Sequence, residues 1–428
     1  MNVTQDVSIF AGQVRAYFAA AGDAEDVVAK RVQAALQSEE LPAPHYERSD
    51  VSRRNLAAYR VEPTAQPGEW RRLAEPFLGE NQTHPLLVIA DGHVVFERGL
   101  AALAEQGVIF SNLRRAVREH AALTRHLGRV VEADADRLLA LGAALWRDGA
   151  FVFVPEGVRV KQPLQLVSVT TTAGHGTFPR NLIVAEADSQ LTLLDAYVAP
   201  QDLSDELCVA VSEVVVGRNA KVKLGTVQDF SPRVTSLAVR RAMVDAAGEM
   251  DWVAGETGEG FGIVEFGSVL EGDGGRSSGH AIALGAGRAH LDLTARMVHV
   301  GRDTDSDINV RGVVQGRADA VYRGLTMIKK DAHGANGAQT EKLLMLSPKS
   351  RAAAIPMLLI DENDVKCGHA ASVGQINPDQ LFYLMSRGIS EREAKRMIVW
   401  GFIDPVLAEL PVDAVRAAME KVVERKMA

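Results

Sequence analysis

The sequence predicts a mostly β protein: a parallel β-helix (solenoid) core flanked by N-terminal and C-terminal α-helical domains. Three observations carry this reading. From Gly149 to about Ser372 the chain is a succession of short Val/Leu/Ile runs broken by Gly, Asp, Asn and Arg, such as FVFVPEGVRV, SEVVVGRNAKVKLGTV and GRAHLDLTARMVHV. A hairpin-built sandwich should show many two-residue Asn-Gly or Asp-Gly loops. This stretch has Asp273-Gly274, Asn336-Gly337 and little else. Aromatic residues make up only 5% of the chain against 37 glycines, which suits a stack of small inward-facing aliphatics. The pattern alone favours a solenoid with coils of about 20–25 residues over a sandwich, which stays the alternative.

The elements follow in order. Asp6–Ala21 carries apolar residues at helical spacing, and Asp23 is placed to cap a second helix bearing Val27, Val28, Val32 and Leu36. Leu41–Gly68, with Pro42, Pro44, Pro63 and Pro67 among many charges, reads as a loop or mobile linker. LLVIA, Asp91-Gly92 and HVVFE form a hairpin signal. Helices are expected at Leu113–Leu127 and Asp134–Trp146. In the central region Gly217-Arg-Asn-Ala-Lys-Val, Gly287-Arg-Ala-His-Leu and Gly316-Arg-Ala-Asp-Ala-Val echo one another, each a turn re-entering an alternating strand. After Asn377 helices return. Asn377-Pro378 gives an N-cap with proline at the first helical position, and Gly388 ends that helix. Ser390-Glu391-Arg392-Glu393 is a capping box. Asp404-Pro405 is expected to break the second helix, and a last one runs from Val412 to Lys426. The domains are read as 1–147, 148–376 and 377–428.

Composition excludes several classes. The net charge of −8 gives no electrostatic support to nucleic-acid binding. Two cysteines, Cys208 and Cys367, exclude a disulfide framework and a four-cysteine metal site within one chain. No apolar run approaches the roughly 20 residues of a membrane span, and the N-terminal MNVTQDVSIFAGQ has no basic stretch. A cytoplasmic protein with no membrane contact and reduced thiols is expected.

Motifs of common enzymes are missing: no Walker A loop, no His-Glu-x-x-His, no Gly-x-Ser-x-Gly. Gly255–Gly262 and Gly272–Gly279 read as turns, since neither opens a helix as a dinucleotide fingerprint would. Asp303, Asp305 and Asp307 alternate at period two, which on a strand would place three acids on one face for a divalent metal or a sugar; a solvated turn is the simpler account. A carbohydrate-active β-helix enzyme would need a catalytic groove that the sequence does not show. Cys367 and His369, two apart on an extended strand, project together. A thiolate beside an imidazole suits zinc or iron–sulfur chemistry. Two ligands do not complete a site, and a buried cysteine next to a hydrogen-bonded histidine explains the segment more simply.

Residues 309–402 change that balance. Tyr322-Arg323-Gly324, the Gln-Thr and Leu-Leu of Gln339–Leu346, the DVKCGHAASVG block within Asn363–Gly374 and QLFYLMSRGI at Gln380–Ile389 occur in order. Together they resemble the SufB/SufD family of iron–sulfur cluster assembly proteins, with weaker similarity through 148–166. The Lys-Cys-x-His block and the length resemble the SufD branch; a cluster-carrying SufB-like paralogue is the alternative. The usual Cys-Ser-His-Gly-Ala-Thr is Cys-Gly-His-Ala-Ala-Ser here, which removes no ligand.

The resemblance implies a right-handed parallel β-helix and a non-catalytic scaffold. It implies a complex with one SufB chain, met at the end of the solenoid, and two copies of the ABC-type ATPase SufC, held by the C-terminal helices. Leu381, Phe382, Tyr383, Arg387, Gly388 and Met397 are the residues expected at the ATPase contact. His369, with Cys367 beside it, is expected to serve a transient iron–sulfur cluster shared with SufB, with no cofactor tightly bound to the isolated chain. Self-pairing of the chain when alone stays open.

Overall fold

The computed structural model describes residues 8–57, 59–61, 68–78, 83–147, 149–409 and 413–427. Helix α1 (Ile9–Ala20) starts at Ser8, whose Oγ accepts the Ala11 amide at 2.9 Å. Helix α2 (Glu25–Glu40) follows, but Asp23 does not cap it. The Asp23 carboxylate is drawn instead to the guanidinium groups of Arg31 and Arg114, at 3.1 and 2.8 Å. Arg31 is buried between the rings of Phe18 and Trp146, 3.8 Å from each centroid, so a buried cation outcompetes the cap. The segment read as a mobile linker is tied down where it is described: the Glu47 carbonyl and Ser49 bond to residues of the core. Pro63 and Pro67 lie outside the described residues.

After α3 (Trp70–Leu78), the expected hairpin forms as β1 (Leu86–Ala90) and β2 (His93–Arg98), with Asp91 and Gly92 both at positive φ. Helix α4 (Leu100–Ala104), β3 (Ile109–Asn112), α5 (Leu113–Glu119) and α6 (Arg137–Leu145) come next. Helix α5 is shorter than the predicted Leu113–Leu127, its continuation being turns and a 3-10 segment at Thr124–His126. Helix α6 starts where Asp136 caps the amides of Leu138 and Leu139.

The core is then built from β4 (Ala150–Val154), β5 (Leu164–Val169), β6 (Arg180–Ala185), β7 (Gln190–Val198), β8 (Glu206–Val216), β9 (Lys221–Asp229), β10 (Val234–Val244), β11 (Glu249–Glu256), β12 (Phe261–Leu270), β13 (Arg276–Gly285), β14 (His290–His299), β15 (Asp305–Val314), β16 (Asp319–Ile328), β17 (Asn336–Met345), β18 (Arg351–Ile360) and β19 (Lys366–Gln375). Strands alternate between two sheets, ordered β19-β17-β15-β13-β11-β9-β7-β5-β1-β2 and β18-β16-β14-β12-β10-β8-β6-β4-β3. Pairing is parallel throughout, apart from β1 with β2 and β3 with β4. This is a parallel β-solenoid of about eight turns. Its coils are longer than expected: Phe261 pairs with His290 and His290 with Asp319, steps of 29 residues. The reason is that each coil carries two strands of about ten residues plus two turns. The echoed Gly-Arg turns re-enter strands as predicted, with Asn219, Gly287 and Gly316 at positive φ.

Burial shows three apolar layers. Between the sheets lies a stack that includes Leu291, Leu293, Ile308, Val310, Ala320 and Tyr322. The outer face of the β18-side sheet, through Val209, Val239 and Ile263, receives α1, α2 and α6. The outer face of the other sheet, through Val253, Ile282 and Val313, receives α3 and the C-terminal helices α8 (Glu391–Leu407) and α9 (Asp413–Met427). Helix α8 runs through Asp404-Pro405 rather than stopping there. Proline costs one hydrogen bond near the end of the helix, while Val406 and Leu407 beyond it are buried on the sheet.

The two ends of the solenoid differ. The first coils are closed by the antiparallel strands β2 and β3, with Leu100 and Leu103 of α4 packed on the inner stack. Among the described residues the last coil, β18 and β19, has no further strand on either sheet. Its residues are half-buried or exposed throughout, with Leu359, Ile360 and Val373 more than 40% exposed.

Candidate functional site

Cys367 and His369 both lie on β19, at that open end. Register fixes where they point. Gly337, Gln339, Glu341 and Leu343 of β17 alternate as buried residues, and they pair with Cys367, His369, Ala371 and Val373 respectively. Cys367 and His369 therefore share the inward-facing side of the last coil. Cys367 is half-buried against Ile328, Ala332, Ala335 and Val365, and burial pushes its thiol up. Gly337 beneath it makes room, since a Cβ there would lie 3.2 Å from the Cys367 sulfur. His369 is exposed.

Cys208 does not join them. It sits on β8, five strands from β18 in the same sheet, about 24 Å at the usual strand spacing. It is fully buried, and desolvation raises its thiol well above the ordinary range. One chain therefore brings one thiol and one imidazole to the open end, half or less of the ligands a cluster requires.

The acidic triplet does not form the patch its alternation allowed. Asp303 lies in the turn at positive φ, and Asp305 accepts a bond from Asn336 Nδ2 at 2.7 Å. A different group, Asp331, His333 and Glu362, converges in stacked turns of successive coils. Glu362 there accepts the amides of Asn363 (2.8 Å) and Asp331 (3.1 Å). These amides, with His333, hold its carboxyl down at about 2, which is what a carboxylate clasping turn amides should show. A Ser–His–Asp alignment also occurs: Ser49 Oγ is 2.7 Å from His290 Nε2, and Asp319 is 3.8 Å from Nδ1. Ser49 Oγ donates its hydrogen bond to Asp292 rather than to the imidazole, which is not the arrangement of an activated nucleophile; it latches the segment after α2 onto the solenoid.

Next to the open end stands helix α7 (Pro378–Ser386), capped by Asn377, whose side chain accepts the Asp379 amide at 2.8 Å. Gly388 ends it at φ +86°, and the Ser390–Glu393 box starts α8 as predicted. Helix α7 has no buried residue. Phe382 is 73% exposed, and Tyr383, Met385 and, on α8, Met397 are exposed too; Leu381 is half-buried. Arg387 lies over the Tyr383 ring, with its guanidinium 5.2 Å from the centroid.

The quoted Tyr-Arg-Gly motif has a structural explanation. Tyr322 faces the inner stack, Arg323 faces outward to Asp292 and the Glu47 carbonyl, and Gly324 leaves space opposite Gln339 and Glu341. Gln339 and Glu341 fall inside the matching stretch Gln339–Leu346, without a role of their own in the sequence reading. Their period-two spacing with Gly337 and Leu343 is the signal that could have placed them inside. Glu341 is almost wholly buried, and desolvation pushes its carboxyl up to about 7.

Comparison with known proteins matches residues 168–402 to the SufBD core domain of the SUF iron–sulfur cluster assembly system, and residues 78–166 to the SufBD N-terminal region. The chain belongs to the SufBD family. It is 35% identical over 93% of both chains to the iron–sulfur cluster assembly protein SufD of Bacillus subtilis. It is 31% identical to SufB of the same organism and 33% identical to a SufBD family protein of Staphylococcus epidermidis, in each case over 76% of this chain and 70% of the relative. It is a SufD homologue within an iron–sulfur assembly family. Among the described residues no helix is long and apolar enough to cross a membrane.

Proposed function

We propose that the chain is a scaffold subunit of a SUF complex, in which a SufB chain seats against the open end of the solenoid and SufC docks on α7. His369 then offers an imidazole to a nascent iron–sulfur cluster that is cargo rather than a resident cofactor. One observation carries the reading: the solenoid is closed at its first coil and left unpaired at its last, where β18 and β19 expose free edges around Cys367 and His369. Free strand edges with exposed aliphatics are templates for another chain. A second solenoid end would pair them and supply the ligands this chain lacks. A site divided between two chains can also open to release what was built there.

The exposed aromatics of α7 and the Arg387-Gly388 turn are the surface for the ATPase. Closure of an ATPase pair would pull on the C-terminal helices, and α8, packed on β13 and β15, would carry that pull into the sheet. The test is His369→Ala in the complete complex. Assembly with SufB and SufC is expected to persist while cluster formation, followed by iron and sulfide content, is lost. A variant that builds clusters normally refutes the ligand role.

A further inference from the structure

The inward face at one register position changes character between β15 and β17. In β15 the inward residues beneath Gln339 and Glu341 are Ile308 and Val310, part of the apolar stack. One coil nearer the open end, Gln339 and Glu341 bring an amide and a carboxyl to the same inward face. No side chain bonds to either oxygen of Glu341 or to Gln339 Oε1, although both residues are at most 2% exposed, and the Gly324 amide is the one donor group that bears on the Glu341 carboxyl.

The orientation of Gln339 is decided by its neighbours. Nε2 donates to the Met357 carbonyl at 3.2 Å and to Thr326 Oγ1 at 2.6 Å. A carbonyl can only accept, so the amide cannot be reversed. Its Oε1 is thereby turned toward Gly324, on the side where any other residue would carry its side chain. A Cβ on Gly324 would collide with Glu341 Oε1 and lie 2.9 Å from Gln339 Oε1. Two acceptor oxygens thus lie together against the glycine, with the aliphatics Ile308 and Val310 of the preceding coil beneath them. A buried carboxyl in that setting is costly unless something positive lies between the oxygens, either its own proton or a cation.

We propose that Glu341 and Gln339 form an inner oxygen subsite for a ferrous ion, below His369 at the open end. The path to it is short. Ala371, in register directly above Glu341, presents only a methyl group, and it lies on the exposed last strand. His369 is in register directly above Gln339, one strand spacing of about 4.8 Å away. A carboxylate, an amide carbonyl and an imidazole together suit a divalent first-row metal. The ion would wait there, before sulfide arrives, on ligands that belong to this chain alone. The inference rests on the reading of the open end as an iron–sulfur assembly site.

The test is anaerobic titration of the full-length chain with Co2+ as the optical probe. One equivalent is expected to bind, and Glu341→Gln should weaken binding at least tenfold with the circular dichroism spectrum unchanged. Absence of Co2+ binding by the unaltered chain would mean that the oxygens share only a proton, and would overturn the subsite. Equal binding by Glu341→Gln would overturn it as well, placing the ion elsewhere, for instance at Asp331, His333 and Glu362. If Glu341→Gln does not fold, Ala371→Leu on the exposed strand asks the same question by covering Glu341, and must also weaken binding. The two readings fail separately. Unaffected Co2+ binding in Glu341→Gln, with cluster assembly lost in His369→Ala, removes the subsite and keeps the assembly reading. Binding through Glu341, with normal assembly in His369→Ala, does the reverse.

Discussion

His299, at the end of β14, is fully buried and hydrogen-bonded through both ring nitrogens, Nδ1 to Thr304 Oγ1 and Nε2 to Ser306 Oγ, each at 2.8 Å. Burial lowers its pKa from 6.5 to about 4. The unfolded chain therefore binds the proton more readily across that window. This contribution to stability is complete above pH 6.5 and is lost as pH falls toward 4. At about 1.4 kcal/mol per pH unit it amounts to about 3 kcal/mol. Urea midpoints measured from pH 7 to 4 should fall steeply for the unaltered chain and less for His299→Gln, which keeps a polar side chain between the two hydroxyls. Equal slopes would contradict the assignment. The same residue-level reasoning separates the two cysteines. Cys208 is buried and inert far from the open end, whereas Cys367 is half-buried beside His369.

At the scale of elements, what the sequence disclosed depended on how local the cause was. The caps at Ser390 and Asn377 and the hairpin at Asp91-Gly92 are written in neighbouring residues, and all three form as predicted. Asp23 was misread as a cap because its partners are tertiary in origin: Arg31 of α2 itself, buried between Phe18 and Trp146, and Arg114 from α5. Pro405 was misread as a break because the reward for continuing, burial of Val406 and Leu407 on the sheet, is tertiary. The exposed face of α7 belongs to this scale as well. Its aromatics Phe382 and Tyr383 are mostly exposed, and Arg387 lies over the Tyr383 ring at its end. Arg387→Glu is expected to weaken SufC binding at least tenfold in a pull-down or by calorimetry, and to leave the thermal midpoint unchanged. Undiminished binding would move the ATPase contact off this turn.

At the scale of the whole molecule, the fold class was legible because a solenoid repeats its signal. Alternating aliphatics, few aromatics and few two-residue hairpin loops recur coil after coil. Coil length was underestimated because strands of ten residues were not visible as units. The site was legible only in part. Cys367 and His369 stood out as a pair two residues apart, and family resemblance gave them a role. The oxygens of Gln339 and Glu341 gain meaning only when Gly324, from the opposite sheet, is seen to admit both against its backbone. The asymmetry of the ends is the property of the whole that organises the rest: one closed by antiparallel strands, the other bare.

That asymmetry is the central claim, and native mass spectrometry tests it most directly. The chain should be co-expressed anaerobically with the SufB and SufC of its host and purified through a tag on the chain itself. The account predicts a complex of one such chain, one SufB and two SufC. It also predicts that Val373→Lys, on the exposed strand of the open end, removes SufB while SufC is retained. Recovery of the chain alone, or only as a self-dimer, would contradict the account.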